Sequence, residues 1–200
     1  MTGFFTINAL QSAALDYLST YLSPDCTYHN AQHTLEVCNA VMEFTQHGDW
    51  PPEEYAALRI AAIFHDFGYL TAPEANEALA LPYIKKFAAA WAINDQLVER
   101  AHELILETVY PYCPLTPAGE LLCDADIEYI GRDCFMERAG MFRLELQLQG
   151  LEYDDVTWWN MEMDFLLRNK FFTPVCRQLR EAGRQKNIAA VEKILRQFKG

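Results

Sequence analysis

Basic residues are scarce in this chain, with sixteen Lys and Arg against twenty-eight Asp and Glu and a net charge of −12. Nucleic acid polymers and anionic membranes are bound non-specifically through a positive surface, so neither is an expected partner. A small anionic ligand stays open, because a bound metal reverses the local field. Long apolar runs are also missing. None approaches ~18 uninterrupted residues, the length a membrane-spanning helix needs. The N-terminus lacks a basic region followed by an apolar core, so no signal peptide is expected. The six cysteines (Cys26, Cys38, Cys113, Cys123, Cys134 and Cys176) form no C-x-x-C pair. A chain of 200 residues does not need a disulfide framework, which points to reduced thiols in a cytoplasmic protein. No segment alternates apolar and polar residues with β-branched enrichment, so no strands are expected. Internal repeats and low-complexity linkers are absent too.

What is present is helical periodicity. Leu10, Ala14, Leu18 and Leu22 recur at spacings of four within a helix expected over Ile7–Leu22, and Ser23-Pro24-Asp25 breaks it. A second helix is expected from Asn30 to His47, with Val37, Val41 and Phe44 as its inward stripe, and a third from Pro52 to Asp66. Further helices are expected from Pro73 to Trp91 and, capped by Asn94, to Thr108. Three prolines fix the stretch Tyr110–Pro117 as irregular. Helices over Glu120–Ile130, Asp133–Leu148, Asp155–Glu181 and Asn187–Phe198 complete the chain. The expected fold is one all-α domain over residues 1–200, a helical bundle.

One stretch stands out chemically. Ile60-Ala61-Ala62-Ile63-Phe64 runs into His65-Asp66, and Gly68 follows. Burying a carboxylate costs several kcal/mol unless something neutralises it. A divalent metal accepts both an imidazole nitrogen and a carboxylate oxygen. The competing reading of this pair alone is a helix end, with Asp66 turning the chain and His65 bonded locally. Upstream, Tyr28-His29-Asn30-Ala31-Gln32-His33-Thr34 puts two histidines four apart, with His33 on the Val37 stripe. Downstream, Asp126 lies on the line Leu122–Asp126–Ile130, the apolar side of its helix. Asp124 points elsewhere, as a surface group or one that supports a ligand.

His33, His65, Asp66 and Asp126 thus form an H…HD…D set. Together with YHNxxHT, FHDFGY and CDADIEYIG, this set resembles the HD superfamily of metal-dependent phosphohydrolases. The wider spacing, including Phe171-Phe172-Thr173, is similar to that of an uncharacterised bacterial subgroup. The resemblance implies a single HD-type bundle with His33, His65, Asp66 and Asp126 as ligands of a divalent metal: Mn, Fe, Ni, Zn or Mg. It also implies that His29, as in the cyclic-nucleotide phosphodiesterase branch, protonates the leaving oxygen. His29 and Asp66 are then the catalytic residues. Two-metal relatives carry a further histidine where this chain has Asn76, so a second metal is in doubt. Glu74 and Glu77 are nearby substitutes, and Asp124, Asn76 and Glu77 stand as alternative or supporting ligands.

The activity so implied is hydrolysis of a phosphomonoester or phosphodiester, a nucleotide included, by metal-activated water. An anionic substrate also needs cationic contacts. Arg132, directly after the Asp126 helix, is the first candidate, with Arg138, Lys85 and Lys86 behind it. Tyr69 and Trp91 are candidates to stack on a base. Two other readings compete: a non-catalytic metal-bound sensor or interaction module, and an HD-fold di-iron oxygenase.

Overall fold

A computed structural model describes residues 2–198, and every regular element in it is helical. In chain order these are α1 (Thr2–Tyr21), α2 (Ala31–Thr45), α3 (Pro52–Phe64), α4 (Asn76–Leu79), α5 (Leu81–Trp91) and α6 (Asp95–Leu106). Then follow α7 (Pro117–Ile127), α8 (Phe135–Leu148), α9 (Asp155–Arg168) and α10 (Pro174–Gln197). Short 3₁₀ turns at Phe67–Leu70 and Glu128–Gly131 extend α3 and α7. Among the described residues no helix is long and apolar enough to cross a membrane. All six cysteines are free.

Helix α3 is the centre of the bundle. Every residue from Ala57 to Phe64 is buried, including Arg59. A helix apolar all round has to be surrounded, and α1, α2, α6 and α7 surround this one. Asn8 and Gln11 of α1 accept from the Arg59 guanidinium at 2.9 and 3.1 Å, which offsets part of the cost of burying it. Leu10, Ala14 and Leu18 bury the α1 stripe as the spacing of four requires, each large side chain contributing about 1.5–3 kcal/mol.

Side-chain caps set several helix starts. Asn30, Asn94, Thr116, Asp154 and Thr173 each accept from a backbone N–H in the first turn of the helix that follows.

Three expected boundaries differ. The helix expected from Pro73 to Trp91 is two pieces, because Ala75 takes a left-handed conformation (φ 54°) and α4 ends at Leu79. The break in the last third lies at residues 169–173, not after Glu181, and α10 runs unbroken through Gly183. Thr173-Pro174 supplies the new start, as cap and first helical residue. Gly183 is needed inside α10 for proximity: a Cβ there would sit 1.9 Å from the Gly131 carbonyl oxygen. Finally, α3 stops at Phe64, leaving His65 as its cap and Asp66 just outside.

Candidate metal centre

The end of α3 is what makes the site. His65 is still helical (φ −54°, ψ −39°), whereas Asp66 sits at φ −102°, ψ 9°. Consecutive residues of a continuing helix diverge by about 100°, and leaving the helix at Asp66 lets both side chains turn to one point. Gly68 follows because the backbone of Asn76 lies against it, with the Asn76 carbonyl oxygen 1.9 Å from where a Cβ would be. That contact fixes α4 beside the His-Asp pair. On α2, the Asn30 side chain accepts from the backbone N–H groups of Gln32 and His33 at 2.9 and 3.1 Å, setting the helical phase that points His33 inward.

The ligand atoms of His33, His65 and Asp66 all lie within 4.8 Å of one another. His65 Nε2 faces His33 Nε2 at 3.3 Å, and Asp66 Oδ2 is 3.1 Å from His65 and 3.4 Å from His33. Asp126 brings Oδ1 to 3.1 Å from His33 Nε2 and 3.6 Å from His65 Nε2. Its other oxygen accepts from the Tyr112 hydroxyl at 3.1 Å.

Several features suit a cation at this centre. His65 Nδ1 is 2.9 Å from the Ala62 carbonyl, which accepts its proton and orients Nε2 inward, the nitrogen that a bound cation would take in place of a proton. Asp66 Oδ2 is buried and makes no hydrogen bond of acceptable geometry despite its two close imidazoles. Two imidazole nitrogens and two carboxylate oxygens converging on one point match the donor set of a divalent transition metal. Without a cation the electrostatics are lopsided. Burial opposes charge on His65, but Asp66 and Asp126 outweigh it and push its pKa up to about 9. Burial likewise opposes charge on Asp66, and His65 outweighs it, holding the carboxyl well below the usual range.

Beside the centre opens a cavity of about 520 Å³, lined among others by Asp66, Asp126 and His29. His29 Nδ1 meets Glu145 Oε1 of α8 at 2.5 Å, and Glu145 Oε2 accepts the backbone N–H groups of Tyr28 and His29 at 2.8 and 3.0 Å. Burial disfavours both charges. The pairing nevertheless raises the His29 pKa and lowers that of Glu145, so the two shifts agree on an imidazolium–carboxylate pair. His29 Nε2 lies 3.1 Å from the Tyr69 hydroxyl, and the two rings stack at 4.1 Å. Burial pushes the Tyr28, Tyr69, Tyr112 and Tyr129 hydroxyls up, leaving them neutral donors rather than bases.

The remaining candidates divide. Asn76 and Glu77 line the cavity, and the Asn76 Oδ1 is buried without a partner. Glu74 is exposed and outside it. Asp124 is no surface group: it is fully buried, and its carboxylate accepts the Phe172 N–H and the Thr173 N–H and hydroxyl at 2.7, 2.7 and 2.5 Å. It ties the start of α10 to α7, and those bonds turn it away from a ligand role.

Arg132 does not reach the cavity. Its Nε pairs with Glu128 at 2.8 Å and its Nη2 lies 3.9 Å from Glu43. Arg138 pairs with Glu36, Lys86 donates to the Tyr17 hydroxyl at 3.0 Å, and neither they nor Lys85 line the cavity. Tyr69 lines it, but its face is taken by His29. Trp91 packs on the core instead. Glu145, Tyr112 and Glu162 escaped sequence reasoning. They arrive from distant helices and loops, and no local pattern distinguishes them from other acidic or aromatic residues.

No protein-family model, curated protein or solved structure matches this chain.

Proposed function

We propose that this chain is a metal-dependent phosphohydrolase of the HD type, cleaving a phosphomonoester or phosphodiester, nucleotides included. The observation that carries the reading is the convergence of His33, His65, Asp66 and Asp126 on one point beside a cavity. A divalent metal bound there would supply a water of lowered pKa and a Lewis acid for a phosphoryl oxygen. Asp66 and Asp126 offset its charge, and the Ala62 carbonyl orients His65 Nε2 inward. His29 is the residue placed to move a proton: Glu145 holds Nδ1, and Nε2 faces the cavity wall beside Tyr69. In that role the imidazolium gives its Nε2 proton to the departing oxygen, help worth roughly 10²–10⁴-fold.

A direct test is metal analysis of the purified protein, joined to a screen of phosphomonoesters, phosphodiesters and nucleotides with added Mn²⁺, Fe²⁺, Ni²⁺, Zn²⁺ or Mg²⁺. Bound metal and hydrolysis that is lost in Asp66→Ala support the reading. Bound metal without turnover of any ester supports a metal-bound sensor or interaction module instead. Neither metal nor turnover overturns both.

A further inference from the structure

The cavity beside the metal centre has no Lys or Arg among its lining residues, although its proposed substrate is anionic. Charges in the cavity can be paired off. A divalent cation would offset Asp66 and Asp126, and Glu145 is matched by His29. Asp164 at the rim pairs with Arg168 at 2.8 Å. Glu77 and Glu162 have no ion-pair partner among the described residues. Glu162 is the telling one. It is only 5% exposed, lines the cavity from α9, and its Oε2 has no hydrogen-bond partner. Nothing but burial acts on its pKa, which is pushed up to about 7. A carboxylate left unsatisfied at such depth costs several kcal/mol unless a ligand supplies the missing charge.

The surroundings say what kind of charge. Trp158 and Phe165 lie four residues before and three after Glu162, on the same face of α9. From Trp158 the rings continue to Phe142 at 6.1 Å, then to Tyr28 at 5.5 Å and Tyr129 at 5.6 Å. From Phe165 they continue to Tyr110 at 6.1 Å. Arg143 lies 5.8 Å from the Trp158 centroid, but Asp155 and the Tyr153 carbonyl hold it, and it does not line the cavity. Aromatic rings and an unpaired carboxylate lining the same cavity are a setting that suits an organic cation, above all an alkylammonium that cannot hydrogen-bond its own charge away.

We infer that the α9 wall of this cavity is a cation subsite for an alkylammonium group, so that the substrate class is the phosphoester of an amino or quaternary-ammonium alcohol. The ester half rests on the proposed phosphohydrolase reading, whereas the ammonium half stands on the cavity alone. Such a zwitterion places its phosphate at the metal centre and its cation against Glu162, and a cavity of about 520 Å³ suits a small molecule of that kind.

The binding test uses the full chain, stripped of metal with chelator, at pH 8 and low salt. Choline is titrated calorimetrically against 3,3-dimethylbutan-1-ol, its uncharged isostere. Choline is expected to bind at least about tenfold more tightly, and Glu162→Gln to weaken choline about tenfold while leaving the isostere unchanged. Equal affinities, no choline binding, or Glu162→Gln binding choline like the wild type each overturn the subsite. With metal restored, hydrolysis of phosphocholine and of the phosphate of the isostere is compared. Equal rates overturn the substrate class. Failure to hydrolyse any ester overturns the hydrolase reading and leaves the binding result as it stood.

Discussion

Glu145 holds His29 by both ends of its own residue, accepting the imidazole Nδ1 proton through Oε1 and the His29 backbone N–H through Oε2. The ring therefore has neither rotational nor tautomeric freedom, and its Nε2 is committed to the cavity side. Glu145→Gln keeps the shape and one acceptor but removes the charge that raises the His29 pKa. In the proposed hydrolase kcat/KM is expected to fall about 10–100-fold, with the alkaline limb of the pH profile moving to lower pH. The sign follows from the raised pKa: once the carboxylate is gone, His29 loses its proton earlier as pH rises. His29→Ala is expected to cost more, and the double variant no more than His29→Ala alone. An additive double variant would mean that Glu145 acts elsewhere.

Metal content separates ligands from neighbours. His33→Ala, His65→Ala, Asp66→Ala and Asp126→Ala are each expected to lower bound metal measured by mass spectrometry, whereas Asp124→Ala and Arg132→Ala are not. Chelating the metal is expected to lower the melting temperature. Binding at a hundredfold excess over Kd is worth about 2.7 kcal/mol, or roughly 5–10 °C for a chain of this size. An unchanged melting curve after chelation would remove the metal from the folded state's stability.

Asp124 is expected to be a stability residue. It receives three hydrogen bonds from Phe172 and Thr173, and burial raises its pKa to about 6 against their opposing pull. Asp124→Ala orphans buried N–H groups at the start of α10, a loss of about 2–4 kcal/mol and roughly 5–15 °C in melting temperature. Metal content of the protein that remains folded is expected to stay at wild-type level. Metal loss with an intact melting temperature would reverse the roles of Asp124 and Asp126.

That pair also shows what the sequence could and could not carry. The spacing of four along Leu122, Asp126 and Ile130 singles out Asp126, and its Oδ1 reaches both imidazoles. Yet the more deeply buried carboxylate is Asp124, so burial alone would point to the residue that lies away from the imidazoles. Helical period, the helix start at Asn30 and the cap at Asn94 were legible because each is written within a few residues. The break at residues 169–173 was not, since it depends on Asp124 holding Thr173, 49 positions away. The stop expected after Glu181 is not there, and Gly183 inside α10 is a contact with Gly131. The cavity wall was hidden for the same reason: Glu145 reaches His29 across 116 positions. The lack of cations there is a property of tertiary packing, and Arg132, adjacent in sequence to the Asp126 helix, turns to Glu128.

Gly68→Ala is expected to damage the site without touching a ligand. The added Cβ would fall 1.9 Å from the Asn76 carbonyl oxygen, so α4 or the turn after Asp66 has to move. Neither neighbour is a flexible side-chain tip, and displacing packed backbone costs typically 1–3 kcal/mol or more. Metal affinity and melting temperature are expected to fall together. Wild-type values for both would show that the turn is looser than its packing indicates.

Glu162 gives a pH signature that needs no assumption about activity. Its carboxyl ionises near 7 in the folded protein because of burial, against an ordinary value of 4.5. Between those values the folded chain holds a proton that the unfolded chain has released. Stability therefore falls as pH rises from 4.5 to 7, and the whole loss is in place above 7. At about 1.4 kcal/mol per tenfold in acidity, the loss is bounded near 3 kcal/mol. Glu162→Gln cannot ionise, so in urea denaturation without ligand it is expected to be more stable than wild type at pH 8–9 and not at pH 4.5. Choline added at pH 8–9 is expected to narrow that difference, because it neutralises the carboxylate only in the wild type. Parallel pH–stability curves for the two proteins would mean that Glu162 finds a partner or water in solution, and the unpaired carboxylate behind the cation subsite would be gone with it.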